Sequence, residues 1–310
     1  MSEDGSTGPA PVSLVSVSID LGAGRRGVDM GPSAIRIAGL DEAILGTGRR
    51  LAEGGTVWAP APETVPIGDE AHRYLDAIVQ VALESSALVR EALGSNAFPL
   101  ILGGDHSLAL GTVSGVAEFY RAREQSIGLI WVDAHTDMNT PGTSPSGNVH
   151  GMPLAALTGQ IPGGLGGLCQ GLPVVEAEKV SVLGARSIDK TERDVVRDSG
   201  VRVFTMTELD ERGVARCMDE ALERASEGTA GFHLSFDLDS LDPQIAPGVG
   251  TPVRGGLTFR EGHLICEKAA RSRNLIGLEV VELNPVMDTA NATARLAVGL
   301  IASALGDTIL

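Results

Sequence analysis

Residues 127–139 read Ile-Gly-Leu-Ile-Trp-Val-Asp-Ala-His-Thr-Asp-Met-Asn. The first half, 127–132, is apolar and partly β-branched, with Gly128 the one interruption. That composition predicts a strand buried on both faces, as in a parallel sheet. The character then changes to Asp133, His135 and Asp137. Side chains alternate faces along an extended chain, so these three are expected to point the same way. Two carboxylates and an imidazole at the carboxyl end of a buried strand are costly to desolvate unless a cation or strong hydrogen bonds compensate them. The cluster reads as a metal site.

Outward from this stretch, apolar runs predict strands over 13–19, 98–102, 179–183, 201–204, 232–236 and 275–281. Helical spacing predicts helices over 69–93, 152–157, 208–226, 259–271 and 289–305, with others running to 123 and starting at 191. The Gly-rich segment 20–36 leads into a helix, Pro32 suiting an early helical position. It has neither dinucleotide spacing nor a Gly-Lys-Ser/Thr, so it reads as a structural loop. Residues 56–68, with three prolines, and the polar stretch 139–151 read as loops, and 159–173 as a mobile Gly-rich surface loop. Residues 1–11 are expected to be a disordered tail and 12–310 a single domain. Strand–helix alternation predicts an α/β fold: three α/β/α layers around a central, mainly parallel sheet. Ligands in such sheets sit at the carboxyl ends of strands, where every polar cluster falls.

Hydrophobic residues make up 43% of the 310 and aromatics only 3%, so the core must be built mainly from aliphatic side chains. A net charge of -16 argues against a nucleic-acid partner; such a surface would draw in a cationic small molecule, or serve mainly for solubility. Cys169, Cys217 and Cys266 are odd in number and widely spaced. They suggest neither a disulfide framework nor a zinc site, and fit a reduced compartment. With no signal-like start and no apolar run long enough for a span, no membrane partner is expected and a cytoplasmic location is.

Three strand ends supply hard ligands: His106; Asp133, His135 and Asp137; Asp237 and Asp239. Four carboxylates balance two divalent cations, and oxygen-rich ligation with two imidazoles favours Mn²⁺ over zinc. Asp105 and Asp242 read as structural, supporting ligands or capping turns.

Five blocks carry a resemblance: Gly-Gly-Asp-His-Ser (103–107), Asp-Ala-His-Thr-Asp-Met-Asn (133–139), Gly-Asn-Val-His-Gly (147–151), Ser-Phe-Asp-Leu-Asp-Ser-Leu-Asp-Pro (235–243) and Val-Glu-Leu-Asn-Pro (281–285). Together they resemble the signature blocks of the ureohydrolase (arginase/agmatinase) family, and the chain is most similar to arginases, which 25–36 also resembles. The resemblance implies an arginase-like catalytic domain hydrolysing the guanidinium of L-arginine to L-ornithine and urea with a metal-bridging hydroxide. It implies one Mn²⁺ on His106, Asp133, Asp137 and Asp237, and a second on His135, Asp133, Asp237 and Asp239. It further implies that Glu282 pairs with the guanidinium and that Asp137 passes a proton to the leaving amine. His150 matches the family's proton shuttle, a purely structural His150 being the alternative. Asn139, Ser144, Ser146 and Asn148 resemble the donors to the α-carboxylate, and Asp189, with Glu192 nearby, the acid facing the α-ammonium. Ser187 stands where some relatives carry an acid. The family's habit implies a homo-oligomer, trimer or hexamer.

Overall fold

Short, mainly apolar runs become the strands of one sheet, and the segments between them become its helical cover. The computed structural model describes residues 9–169 and 173–308. Residues 1–8 of the expected tail and 170–172 of the expected Gly-rich loop lie outside the described residues. In chain order the elements are β1 (Val12–Ser18), α1 (Gly31–Ile37), α2 (Leu40–Gly46), β2 (Leu51–Trp58), α3 (Leu75–Gly94), β3 (Phe98–Gly103), α4 (Ala109–Arg121), β4 (Gly128–Val132) and α5 (Pro153–Leu157). They continue with β5 (Val180–Ala185), α6 (Glu192–Asp198), β6 (Arg202–Thr205), α7 (Met206–Arg212), α8 (Val214–Ser226), β7 (Phe232–Asp237), α9 (Phe259–Ser272), β8 (Leu275–Val281) and α10 (Ala292–Ala304).

The strand order is β2-β1-β3-β8-β7-β4-β5-β6, and every pairing is parallel. After β3 the chain crosses to the far half of the sheet, and β7 and β8 return to fill the space between β3 and β4. This break in winding order is where open α/β sheets bind ligands. Strand alternation divides the core into two layers. Leu100, Leu102, Ile130, Val132, Leu234 and Phe236 face α1, α2 and α7–α10. Ile101, Leu129, Trp131 and Val182 face α3, α4 and α5.

Three expectations need correcting. The stretch 56–68 is not all loop, because β2 runs to Trp58. That strand lies at the sheet edge with mostly exposed residues, and Gly54 is bulged where the register shifts between Leu14 and Val15. Neither a buried run nor clean alternation marks it. The helix expected from Asp69 starts at Leu75: Tyr74 has φ 57°, and Arg73 N–H instead donates to Gly147 O at 2.9 Å. The helix expected over 208–226 is split at Gly213, whose φ 81° and ψ 138° leave the helical region.

Gly128, the interruption in the β4 run, exists because α8 presses on it: a Cβ there would lie 2.0 Å from Ala225 O. Gly128→Ala is therefore expected to lower the unfolding free energy by about 1–3 kcal/mol through overpacking. Gly46→Ala, with no atom near its added methyl, should leave stability unchanged or slightly raised. Urea unfolding of the two variants checks this; equal stabilities would contradict the packing argument.

Candidate metal centre and substrate cavity

The same local device ends three strands of the sheet, β3, β7 and β4. Asp133 Oδ1 accepts the N–H of His135 at 2.7 Å, Asp237 Oδ1 that of Asp239 at 2.7 Å, and Asp105 Oδ1 that of Ser107 at 3.0 Å. Each aspartate caps the turn that carries the chain off the sheet. Alternation along an extended chain is thus not what gathers Asp133, His135 and Asp137, since β4 ends at Val132. Capped turns gather them, and the Oδ2 atoms of Asp133 and Asp237 face His106 Nδ1.

Around His106 Nδ1 stand Asp137 Oδ2 at 3.1 Å, Asp237 Oδ2 at 3.2 Å and Asp133 Oδ2 at 3.3 Å. His135 Nδ1 lies 3.2 Å from Asp239 Oδ2 and 3.4 Å from Asp133 Oδ1. The ligand atoms therefore form two groups, His106–Asp133–Asp137 and Asp133–His135–Asp239, sharing Asp133 through its two oxygens. Asp237 joins the first group through Oδ2. All six expected ligands converge at one place.

Whether this set fits cations is decided by His106. Its Nδ1 is fully buried and makes no hydrogen bond, although three carboxylates surround it. Its Nε2 pairs with Ser235 Oγ at 2.7 Å, and its ring stacks on Trp131 at 3.9 Å and 8°. The orientation suits a lone pair aimed at a shared point better than an N–H shared among three acceptors. Trp131 Nε1 also donates to Asp133 Oδ2 at 2.9 Å, so one indole orients two ligands. The donor set, hard oxygens with two imidazoles, suits Mn²⁺ or a similar ion.

Without cations, protons carry the balance. Burial opposes a charged His135, but Asp239 and Asp133 overcome it and push it up to about 12. Burial likewise opposes a charge on His106, yet Asp133, Asp137 and Asp237 raise it well above the usual imidazole range. Burial and the Asp133 charge push Asp137 up to about 7, and burial with Asp239 and Asp133 raises Asp237 well above the carboxylate range.

Two residues of the site adopt left-handed backbone: Asp137 at φ 51° and Glu282 at φ 66°. Neighbours hold both in place. Leu154 and Ala155 N–H grip Asp137 O at 3.0 and 3.2 Å, and Glu282 N–H donates to Gly104 O at 2.8 Å. Glu282 is buried; its Oε1 accepts from His106 N–H at 3.0 Å and pairs with His150 Nδ1 at 2.9 Å. Its Oε2 has no hydrogen-bond partner among the described residues. Burial pulls His150 down, but Glu282 outweighs this and raises it to about 9. His150 N–H donates to Gly22 O at 3.2 Å, and Gly22 N–H donates to Asp105 Oδ2 at 2.8 Å. The Gly-rich loop and Asp105 thus buttress His150.

A cavity of about 190 Å³ opens beside the ligands, lined by His106, His135, Asp137, Asp237 and Asp239, and also by Asn139, Ser144, Ser146, Asn148, His150, Asp189 and Glu192. Ser144 Oγ accepts Gly147 N–H at 3.0 Å and Ser146 Oγ accepts Asn148 N–H at 3.2 Å, so both hydroxyl hydrogens can donate elsewhere. Asn139 Nδ2 donates to Asp189 Oδ2 at 3.1 Å. Glu192 is already engaged: Oε1 accepts from Thr136 Oγ1 and from Met138 N–H at 2.9 Å, and Oε2 from Asp189 N–H at 3.2 Å. Burial raises its carboxyl above the usual range. Asp242 caps a turn, accepting from Gln244, Gly255 and Gly256 N–H.

Sequence reasoning missed Thr251, which lines the cavity and donates to Asp239 Oδ2 at 2.8 Å, as well as Trp131 and Ser235. The last two sit two residues before Asp133 and Asp237 on the same strand faces, so alternation could have found them. Thr251 lies in an irregular loop and had no such signal.

The geometry has close counterparts. The Arginase family model matches residues 10–306. An arginase from Brevibacillus brevis is 47% identical over 299 residues, covering 96% of this chain and 99% of that protein. The native arginase structure from Bacillus caldovelox superposes with a TM-score of 0.91 at 43% identity, covering 97% of this chain and 100% of that one. An Entamoeba histolytica arginase solved in complex with L-ornithine is 28% identical, with a TM-score of 0.85 over 96% and 98% of the two chains.

If the cluster takes cations, its protons must leave as they bind. His106 and His135 are raised in the ion-free state, so binding releases protons and affinity rises with pH. Calorimetry of Mn²⁺ binding in buffers of different ionisation enthalpy should show net proton release. Proton uptake, or affinity independent of pH, would count against the cluster.

Proposed function

The chain belongs to the arginase family and is a hydrolase of that type, and on that premise we propose that it hydrolyses L-arginine to L-ornithine and urea with two Mn²⁺ ions. His106, Asp133, Asp137 and Asp237 would hold one ion; Asp133, His135, Asp237 and Asp239 the other, Asp133 and Asp237 bridging. The observation that carries the reading is the shared cavity: one small space is lined by the ligand cluster and by neutral donors and acids matched to an amino acid. The ornithine held by the Entamoeba relative supports the choice of amino-acid substrate.

A guanidinium carbon is a poor electrophile, its charge spread over three nitrogens, so hydrolysis needs a strong nucleophile held in line. When bound, the two ions would lower the pKa of a bridging water far enough to supply hydroxide near neutral pH. The chain's own groups do the positioning. Glu282, with Oε2 unpaired among the described residues, fixes the plane of the guanidinium by charge-assisted hydrogen bonding. Asn139, Ser144, Ser146 and Asn148 receive the α-carboxylate, while Asp189 faces the α-ammonium, steadied by Glu192. Asp137 accepts the proton of the attacking hydroxide and passes it to the leaving amine. His150, held by Glu282 and partly exposed, moves protons between the site and solvent.

The neutral donors separate this substrate from decarboxylated guanidines, which would leave them unpaired. We also propose a homo-oligomer, trimer or hexamer, acting in the cytoplasm. No helix of the described residues is long and apolar enough to cross a membrane.

A substrate panel with urea detection after Mn²⁺ loading tests the function. L-Arginine should yield urea and agmatine little or none; the reverse preference would overturn the arginine assignment. His150→Ala should cut turnover about 10²- to 10⁴-fold with metal content unchanged, and a metal-depleted variant would contradict the shuttle.

A further inference from the structure

The geometry points to Arg186 as a positioning residue for the cation of Asp133, His135 and Asp239, an inference that rests on the two-ion reading above. Arg186 is the first residue past β5. Its N–H donates to Ala134 O at 2.8 Å, and the N–H of Ser187 to the same oxygen at 3.0 Å. These bonds tie the end of β5 to the turn that carries Asp133 and His135.

The partly buried guanidinium reaches under the loop that follows β7. Nη2 donates to Asp239 O at 2.8 Å, Leu241 O at 3.3 Å and Val253 O at 2.7 Å. Nη1 donates to Ser240 O at 3.1 Å and Gly184 O at 3.2 Å, and Nε to Val253 O at 3.3 Å. Burial lowers its pKa, partly offset by the charge of Asp239. No carboxylate among the described residues forms an ion pair with it.

That choice of acceptors has a chemical consequence. A guanidinium fork on a carboxylate would occupy the oxygens a cation needs. By binding carbonyls instead, Arg186 fixes the backbone of Asp239 and leaves its side chain to the Ala134 N–H, His135 and Thr251. The same fork holds Val253, two residues past Thr251, so both sides of the Asp239 carboxylate are anchored by one cation. Gly256 closes over the same turn: a Cβ there would lie 2.5 Å from Arg186 Nη2, 2.6 Å from Leu241 C and 2.7 Å from Asp242 N. The ligands of the other ion have separate supports, Ser235 and Trp131 for His106 and the start of α5 for Asp137. A lysine, with three donors on one nitrogen, cannot span five carbonyls. Loss of Arg186 should therefore loosen one ion and spare its neighbour.

The test is Mn²⁺ binding to the full chain and to Arg186→Lys and Arg186→Gln, followed by equilibrium dialysis with metal analysis and electron paramagnetic resonance. In both variants one site should keep wild-type affinity and the second weaken about 10- to 100-fold. The spectrum of a spin-coupled pair should give way to that of an isolated ion. Arg186→Gln keeps an amide that can donate to part of the carbonyl set, and so covers the case in which Arg186→Lys does not fold. Equal weakening of both ions, or a lower melting temperature with both affinities unchanged, would reduce Arg186 to a structural staple and overturn the inference. A wild-type chain that retains no ion pair would overturn the two-ion reading, and this inference with it.

Discussion

Buried negative charge at the carboxyl edge of the sheet is the constraint to which the rest of the structure answers. Asp133, Asp137, Asp237 and Asp239 lie in a nearly dry cluster, with only His106 and His135 among them to offset their charge. Carboxylates so placed repel one another strongly unless cations or protons intervene. The surroundings keep that charge in place instead of relieving it. Capped turns fix Asp133 and Asp237, an indole fixes Asp133 and His106, and left-handed backbone fixes Asp137. An unstable arrangement of acids is thus held ready for ions.

The topology explains why this happens at one place. β3, β8, β7, β4 and β5 are consecutive in the sheet although far apart in sequence. Their ends supply His106, Glu282, Asp237 with Asp239, Asp133 to Asp137, and Arg186 to Asp189. The break in winding order opens a crevice there, and the loop 139–151 closes one side of it. That loop is pinned through Arg73, Thr191 and Asp189 and by the burial of Val149 in the layer under α3, α4 and α5. Substrate contacts therefore depend in part on residues outside the cavity.

Much of this was legible in the sequence, for identifiable reasons. Buried strands such as 98–102 and 232–236 announce themselves as apolar runs, and their polar ends stand out because so few polar residues interrupt them. The six ligands were readable because unpaired acids and imidazoles after such strands have few structural uses. The edge strand 51–58 was not readable, since exposed strands carry no apolar signal and a bulge breaks the alternation. The means by which the ligands converge was misread, because the capped turn leaves Asp133, just past the end of β4, looking like a strand position. Arg186 stayed hidden because backbone carbonyls, its partners, have no signature in side-chain identity, and Thr251 because an irregular loop has no periodicity.

The account stands or falls on where ions bind. Diffraction data from Mn²⁺-loaded crystals, collected above and below the manganese absorption edge, locate them directly. Two anomalous peaks are expected in the crevice, one against His106 and Asp137 and the other against His135 and Asp239, both in contact with Asp133. A single peak, or manganese bound away from these side chains, would contradict it.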